Sequence, residues 1–133
     1  MSAAAERRFN VADAARYLKM TPNALRKRDR RRRRRRKRTG GVSGFRVERH
    51  GKAPCVVFIS EAWFPGGKEV EWLRTRVAAE RLGCKRNTLT KRLNESSEKD
   101  ADGMIIARLP GMIAIKVGRE WRVCLEIPEA MRA

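Results

Sequence analysis

The chain has 133 residues and a formal net charge of +18, because 33 lysines and arginines outnumber 15 acidic residues. A field this positive favours phosphate polymers or an anionic membrane over a small neutral substrate as the binding partner. No apolar run approaches the roughly 20 residues that span a bilayer, and the N-terminus lacks the apolar core of a signal peptide. We therefore expect a cytoplasmic protein that binds an anionic polymer rather than a membrane.

The cysteines predict neither disulfides nor a metal site. Cys55, Cys84 and Cys124 are odd in number, lie far apart and have apolar or strand-like neighbours, which indicates reduced thiols. No two cysteine or histidine residues have the spacing of zinc ligands, so we expect no metal and no cofactor. The sequence also lacks a paired-carboxylate site, a phosphate-cradling glycine loop and a nucleophile–base motif, so we expect no enzymatic activity.

The first predicted helix begins after Asn10, which can cap it with Asp13 in the first turn, a near match to a capping box. Ala14, Ala15 and Leu18 follow at helical spacing and form a narrow apolar stripe. The paired alanines allow a second helix to cross closely. The pattern therefore predicts the first half of a helix-turn-helix.

A second helix is predicted to start at Pro22, after the turn Lys19-Met20. Thr21 is a good N-cap, and a proline loses nothing at the first helical position by lacking an N–H. Leu25 would face the core. The outer face then carries Asn23, Arg26, Lys27 and Arg28. The second helix of such a motif enters the major groove, where asparagine can pair with adenine and arginine with guanine.

An arginine-rich insert comes next, because 12 of the 13 residues Arg26–Arg38 are basic, with Asp29 as the exception. Such charge density repels itself, so we expect a mobile loop that neutralises several phosphates when it binds. These contacts would depend steeply on salt and would carry little sequence information. A solvated low-complexity tract and an RNA-binding segment are the alternatives for this run.

Phe45–Arg49 and Cys55–Ile59 are strand-like runs on either side of the turn residues 50–54, and they predict a β-hairpin. A hairpin that follows a helix-turn-helix is a wing, whose basic tip can reach backbone phosphates. His50, in the turn, is more typical of a phosphate contact than of a catalyst. A short closing helix is predicted from Ser60-Glu61-Ala62.

The chain carries this pattern twice. Leu73–Arg92 matches Phe9–Arg28 at an offset of 64 residues, with seven of twenty positions identical. Pro65-Gly66-Gly67 marks the boundary between the copies. Each copy, at about 55–60 residues, is large enough to fold alone, though marginally. The predicted division is a first module of residues 1–64, a linker of residues 65–71 and a second module of residues 72–133.

In the second module, the acidic segment Asn94–Gly103 takes the position of the arginine run, and we interpret it as a polar linker. Ile113–Val117 and Trp121–Leu125 predict a second wing around Gly118-Arg119-Glu120. Pro128-Glu129-Ala130 would begin a closing helix. The alternation predicts that the apolar side chains of the two strands face one another: Ile113, Ile115, Val117, Trp121, Val123 and Leu125.

Two stretches of the second module carry a family resemblance: Val77–Leu89 (VAAERLGCKRNTL) and Ala114–Val123 (AIKVGREWRV). Through them the chain resembles the MerR/excisionase class of winged helix-turn-helix DNA-binding domains. Lys85 and Arg74 depart from the family's helix caps, and Lys19 replaces its turn glycine in the first module. The resemblance implies an α+β fold of two tandem small winged helix-turn-helix domains, each with a β-hairpin wing and a short closing helix.

The resemblance implies base contacts from the second helix of each module, and phosphate contacts from the wings and the arginine run. The residues expected at base edges are Asn23, Arg26, Arg86, Asn87, Thr88 and Lys91. Those expected at phosphates are Thr21, Lys27, Arg28, Arg30, Arg31, Arg32, Arg33, Arg34, Arg35, Arg36, Lys37, Arg38, Arg49, Lys52, Lys85, Arg92, Lys116, Arg119 and Arg122. The two helices would dock about one helical turn apart.

We therefore expect a sequence-specific double-stranded DNA-binding protein, either an excisionase-like recombination directionality factor or a small transcriptional regulator. No long dimerisation helix or effector segment follows the second wing, which favours these roles over metal or drug sensing. The expected partners are duplex DNA, a recombinase or RNA polymerase, and further copies bound cooperatively, at the nucleoid of a bacterial or phage system. The alternatives are an RNA-binding or nucleic-acid-packaging protein dominated by the arginine run, and a protein-interaction adaptor.

Overall fold

A computed structural model describes five stretches of the chain: residues 6–28, 44–49, 51, 55–100 and 103–125. These residues form four helices and two antiparallel sheets, so the predicted α+β class is confirmed. The helices are α1 (Val11–Leu18), α2 (residues 22–28), α3 (Thr75–Leu82) and α4 (Arg86–Glu95). The strands are β1 (Glu6–Asn10), β2 (Phe45–Glu48), β3 (Val56–Ser60), β4 (Leu73–Arg74), β5 (Ser97–Lys99), β6 (Ile105–Leu109), β7 (Met112–Val117) and β8 (Glu120–Cys124). No helix in the described stretches has the length and apolar character needed to cross a membrane.

Both helix pairs turn at a residue in the left-handed backbone region. Asn10 starts α1, since its Oδ1 accepts from Asp13 N at 2.7 Å and its Nδ2 donates to Asp13 Oδ2 at 3.0 Å, as the capping box predicts. Lys19 ends α1 at φ 57°, and Gly83 ends α3 at φ 71°. Glycine adopts this conformation without steric cost, whereas lysine does not. Lys19 is the only non-glycine residue with positive φ among the described residues.

The first sheet has the order β1-β3-β2 and belongs to the first module. Its β2–β3 hairpin confirms the first predicted pair of strands, with Phe45 opposite Ile59. Sequence analysis missed β1, which pairs with β3 and places Phe9 opposite Val57. The predicted closing helix is a single 3-10 turn, Glu61–Trp63.

The second sheet has the order β4-β8-β7-β6-β5. Its β7–β8 hairpin confirms the second predicted pair of strands, with Gly118 in the turn. The interpretation of Asn94–Gly103 as a linker is wrong in part, because β5 lies within it and pairs with β6. All three residues of β5 are exposed and polar, so this strand lacks the apolar alternation that reveals a half-buried strand. The closing helix predicted from Pro128 lies outside the described residues.

The sequence repeat corresponds to a structural repeat. In each module a strand leads into the first helix and pairs with the last strand of the hairpin, β1 with β3 and β4 with β8. Phe9 lies opposite Val57, and its repeat equivalent Leu73 lies opposite Val123. The modules therefore share the order strand, helix, turn, helix, hairpin, to which the second module adds β5 and β6.

One hydrophobic cluster extends across both modules. It contains Leu18, Leu25 and Ile59 of the first module together with Ile115 and Val117 of the second, all of them fully buried. Burying an aliphatic side chain of this size contributes about 1.5–3 kcal/mol to stability. Each module thus obtains part of its core from the other, which the expectation of separately folding modules did not include.

The β7–β8 hairpin of the second sheet is buried on both faces. In the β7–β8 hairpin, Ile115 lies opposite Arg122, and Ala114 lies opposite Val123. Residues opposite one another in a ladder point to the same face. Ile115 joins the cluster shared with the first module, whereas Ala114 and Val123 pack with α3 and α4 in a second cluster. The predicted facing is therefore wrong, because these strands point different apolar sets to opposite faces: Ile113, Ile115 and Val117 to one, Trp121 and Val123 to the other.

The junction between the modules is bonded to the core. The carbonyl oxygen of Trp63 accepts from Tyr17 Oη at 2.6 Å and from Trp72 Nε1 at 3.1 Å. Tyr17 Oη in turn accepts from Val70 N at 3.2 Å. Burial raises the pKa of the Tyr17 hydroxyl above its usual value. The C-terminal end of the predicted linker, residues 65–71, is therefore part of the packed structure through Val70.

Candidate nucleic-acid interface

Helix α2 begins where the sequence predicts. Thr21 Oγ1 accepts from Ala24 N at 3.0 Å, and Pro22 is the first helical residue. The Thr21 oxygen accepts this hydrogen bond, so the hydroxyl group can still donate its own hydrogen to an anionic ligand. Leu25 is fully buried and holds the inner face of the helix in the shared core. The exposed residues are Asn23, Arg26 and Lys27.

Helix α4 presents the equivalent surface in the second module. Leu89, the repeat equivalent of Leu25, is fully buried together with Leu93. No side-chain hydrogen bond caps the start of this helix at Lys85, which agrees with the departure from the family's pattern. The first N–H groups of any helix have no partner within the helix, and in α4 the N-cap side chain does not supply one. The exposed residues are Lys85, Arg86, Asn87, Thr88, Lys91, Arg92, Asn94 and Glu95.

The exposed faces of α2 and α4 are cationic, and they have the same chemistry. Residues 21–28 and 85–94 contain no acidic side chain. Each helix has an asparagine at its second residue, Asn23 or Asn87, and both are exposed. Guanidinium and ammonium groups bind phosphates, and a side-chain amide can bind a base edge on both its donor and its acceptor atoms.

The turn of the second hairpin is basic. Arg119 is exposed between β7 and β8. Lys116 is half-buried, with its Nζ 5.7 Å from the centre of the Trp121 ring. Trp121 is itself buried, and its Nε1 donates to Asn94 Oδ1 at 3.1 Å. This tryptophan packs the hairpin against the end of α4.

Arg122 is buried, so its assignment as a phosphate contact is wrong. It is 3% exposed. Its Nε donates to Leu18 O at 2.9 Å, its Nη2 donates to Lys19 O at 3.0 Å, and its Nη1 pairs with Glu120 Oε1 at 3.1 Å. Burial lowers the pKa of Arg122, and the bond to Glu120 opposes that shift. The guanidinium therefore caps the C-terminal end of α1 and stabilises the turn before α2.

The second hairpin also contacts the far end of α2. The guanidinium of Arg28 fills the space beside Gly118, where a β-carbon would collide with it. Arg28 and Arg74 are close enough to Arg122 to lower its pKa further by like-charge repulsion. Arg74 Nη2 also donates to Lys19 O at 3.4 Å. The cationic side chains of Arg28, Arg74 and Arg122 therefore meet where the two modules join.

This contact between the modules is not predicted above, although the sequence of β7 contains one signal of it. Five of the six residues of β7 (MIAIKV) are apolar. A nearly continuous apolar run is typical of a strand that is buried on both faces, whereas alternation indicates only one buried face. The second face of β7 therefore required a partner, and the first module supplies it.

Part of the predicted site lies outside the described residues. This holds for Lys52 in the first hairpin turn and for the larger part of the arginine run, residues 29–38. Their assignment to phosphate contacts stays a prediction. Arg49 is described and is exposed at the end of β2. The described interface therefore consists of α2, α4, the end of β2 and the turn of the second hairpin.

The described residues hold no group of three or more histidine, cysteine, aspartate or glutamate side chains that could bind a metal ion. The thiols of Cys55 and Cys84 are half-buried, and Cys124 is buried. The exposed side chains of α2 and α4 supply hydrogen-bond donors and positive charge.

Comparison with known proteins assigns no family to the chain. No family model, no curated protein and no solved structure matches it. The chain's own residues at the two exposed helix faces and at the hairpin turn form the candidate interface.

Proposed function

We propose that the chain binds double-stranded DNA, with α2 and α4 as the recognition helices of two tandem winged helix-turn-helix modules. The pair of equivalent exposed helix faces carries this proposal. Each helix follows a left-handed turn and is held by a fully buried leucine, Leu25 or Leu89. Each exposed face carries an asparagine and several cations, and the one acidic residue of the two helices, Glu95, is the last residue of α4. This combination provides donors for base edges and positive charge for phosphates.

Sequence reading would come from the first turns of these helices, because the N-terminal residues of a recognition helix meet the base edges in the major groove. The amides of Asn23 and Asn87 suit adenine, and the guanidinium groups of Arg26 and Arg86 suit guanine. Thr88 and Lys91 extend the surface of α4. Each bidentate pair of this kind discriminates against a wrong base by about 1–3 kcal/mol.

Affinity would come mainly from phosphate contacts. Lys27 and Arg92 on the helices and Arg49 and Arg119 on the hairpins are exposed cations, and the arginine run adds to them in sequence. Each neutralised phosphate adds about 0.9 to the slope of log affinity against log salt concentration. The protein would therefore bind tightly at low salt and select its site through the two helices.

Two biological roles suit a small non-enzymatic protein of this kind. One is an excisionase-like factor that sets the direction of recombination and contacts a recombinase. The other is a transcriptional regulator that contacts RNA polymerase. Both roles would act at the nucleoid, because the net charge of +18 favours a long anionic polymer. Either role could include cooperative binding of further copies on DNA.

Competition binding tests the proposal. Affinity is measured for a random-sequence DNA duplex and for an RNA of the same length, across a salt series from about 50 to 500 mM. We expect DNA to be preferred at every salt concentration, because base-edge contacts in the major groove need B-form duplex. Equal retention of RNA and DNA with one steep salt slope would contradict the proposal. It would support RNA binding or packaging by the arginine run instead.

A further inference from the structure

The second hairpin belongs to the second module in sequence, but it lies against α2 of the first. Val117, the last residue of β7, is fully buried in the same cluster as Leu25 of α2. At the next position, Gly118, the guanidinium of Arg28 fills the space that a side chain would take. The turn of the second hairpin and the last described residue of α2 are therefore neighbours.

The strand that leaves this turn is bonded to the end of α1 and to the turn that precedes α2. Arg122 of β8 donates to Leu18 O at 2.9 Å and to Lys19 O at 3.0 Å. Lys19 forms the turn that leads into α2. The hairpin thus contacts the first module both before α2 starts and at residue 28. These contacts, one before α2 and one at its last described residue, hold the hairpin beside the helix in one orientation.

The surface where the hairpin meets α2 is positively charged. Arg28 is half-exposed beside Gly118, and Arg119 follows Gly118 and is exposed. The one carboxylate in this turn, that of Glu120, pairs with Arg122 at 3.1 Å. Lys116 lies on the other face of the hairpin, over the ring of Trp121. Like charges held close together repel one another, and a bound phosphate removes that repulsion.

We propose that the wing of the second module acts with α2 of the first module, so that Arg28 and Arg119 contact one continuous stretch of DNA backbone. This inference rests on the proposed function, because it assigns which phosphates the wing binds. A wing that served its own module would share its backbone contacts with α4. Arg92, the repeat equivalent of Arg28, holds the corresponding position there.

A double-mutant cycle on the full chain distinguishes the two arrangements. Dissociation constants are measured at one fixed salt concentration for one 30-base-pair duplex taken from a binding selection with the wild type. The single variants are Arg28→Ala, Arg92→Ala and Arg119→Ala. Two double variants combine Arg119→Ala with each of the others. All three residues have exposed or half-exposed side chains, and tryptophan fluorescence of each variant checks that it is folded.

We expect each single change to weaken binding by roughly threefold to tenfold, as the loss of one phosphate contact does. If the two effects were independent, the dissociation constant of Arg28→Ala/Arg119→Ala would rise by the product of the two single increases. We expect it to be at least about threefold lower than that value, because the effects of neighbouring residues that share one contact site are not additive. The Arg92→Ala/Arg119→Ala variant should match the product within about twofold.

Coupling of Arg119 to Arg92 and not to Arg28 overturns this inference and assigns the wing to its own module. Additive effects in both pairs overturn it as well, because the three residues would then contact separate stretches of backbone. A wild-type chain that shows no preference for duplex DNA overturns the proposed function itself. The two failures are therefore distinguishable.

Discussion

Arg122 Nη2 donates a 3.0 Å hydrogen bond to the carbonyl oxygen of Lys19, which lies 103 residues earlier in the chain. The last carbonyl groups of a helix have no partner within the helix. Here a guanidinium from the second module provides that partner, with a further bond from its Nε to Leu18 O at 2.9 Å. The turn that positions α2 therefore depends on β8 of the second module.

Removing this guanidinium should destabilise the fold. In Arg122→Ala, the carbonyl groups of Leu18 and Lys19 lose a buried donor, and each such loss costs about 1–3 kcal/mol. We expect the free energy of unfolding to fall by about 2–4 kcal/mol. Urea denaturation followed by the fluorescence of the buried tryptophans measures it. Arg119→Ala, on the exposed turn of the same hairpin, is the matched control and should change stability by less than about 0.5 kcal/mol. Equal stability of the two variants would show that Arg122 is not a structural cap.

Glycine in place of Lys19 should stabilise the left-handed turn of the first module. Lys19 has φ 57°, a conformation that costs a residue with a β-carbon about 1 kcal/mol. Lys19→Gly should therefore raise the free energy of unfolding by about 0.5–1 kcal/mol. Gly83→Lys, the reverse change at the equivalent turn, should lower it by a similar amount, because Gly83 has φ 71°. Lys19→Ala removes the charge and keeps the strain, so a gain in stability with alanine would refute the backbone explanation.

Tyr17 should make the fold sensitive to alkaline pH. Burial raises the pKa of its hydroxyl above the ordinary value of about 10. The unfolded chain therefore loses this proton first, so the stability is complete below pH 10 and is lost as pH rises through the folded pKa. Tyr17→Phe should cost about 1–2 kcal/mol at pH 7, because Val70 N loses its acceptor. That difference should narrow in denaturation curves above pH 10. A constant difference from pH 8 to pH 11 would be the contrary result.

Alanine substitutions at two glycines distinguish the effect of backbone strain from the effect of displacing the Arg28 side chain. Gly111 and Gly118 have φ 77° and 63°, so alanine strains the turn at both. A β-carbon at Gly111 meets no atom within 4 Å, whereas at Gly118 it collides with the guanidinium of Arg28. Both alanine variants should lose about 1 kcal/mol of stability. Only Gly118→Ala should weaken DNA binding, by up to the effect of Arg28→Ala. Equal affinities of the two variants would argue against a role for Arg28 in binding.

The features that the sequence predicted correctly are local. Asn10 caps α1 through a residue three positions away, and Thr21 and Pro22 start α2. Leu25 and Leu89 are buried because helical spacing places them on the inner face. Side-chain pattern and capping chemistry suffice for such features, because the interacting groups lie within a few residues of one another.

The features that the sequence did not predict depend on distant contacts. Arg122 looked like a surface cation in a basic hairpin, and only the position of Lys19 beside it shows why it is buried. Ile115 was expected to face Trp121, but the first module covers the opposite face of β7. The periodicity of apolar residues does not give the orientation of one module relative to the other. It therefore could not predict which residues of the two modules contact each other.

The proposed function requires that α2 and α4 each read one part of a DNA site. Binding selection from a random duplex pool, with sequencing of the retained DNA, is performed on the wild type and on Asn23→Ala and Asn87→Ala. We predict two half-sites about 10 base pairs apart for the wild type. Each alanine variant should lose base preference in a different half-site and keep it in the other. No enriched motif with the wild type, or the same loss from both variants, would contradict the account.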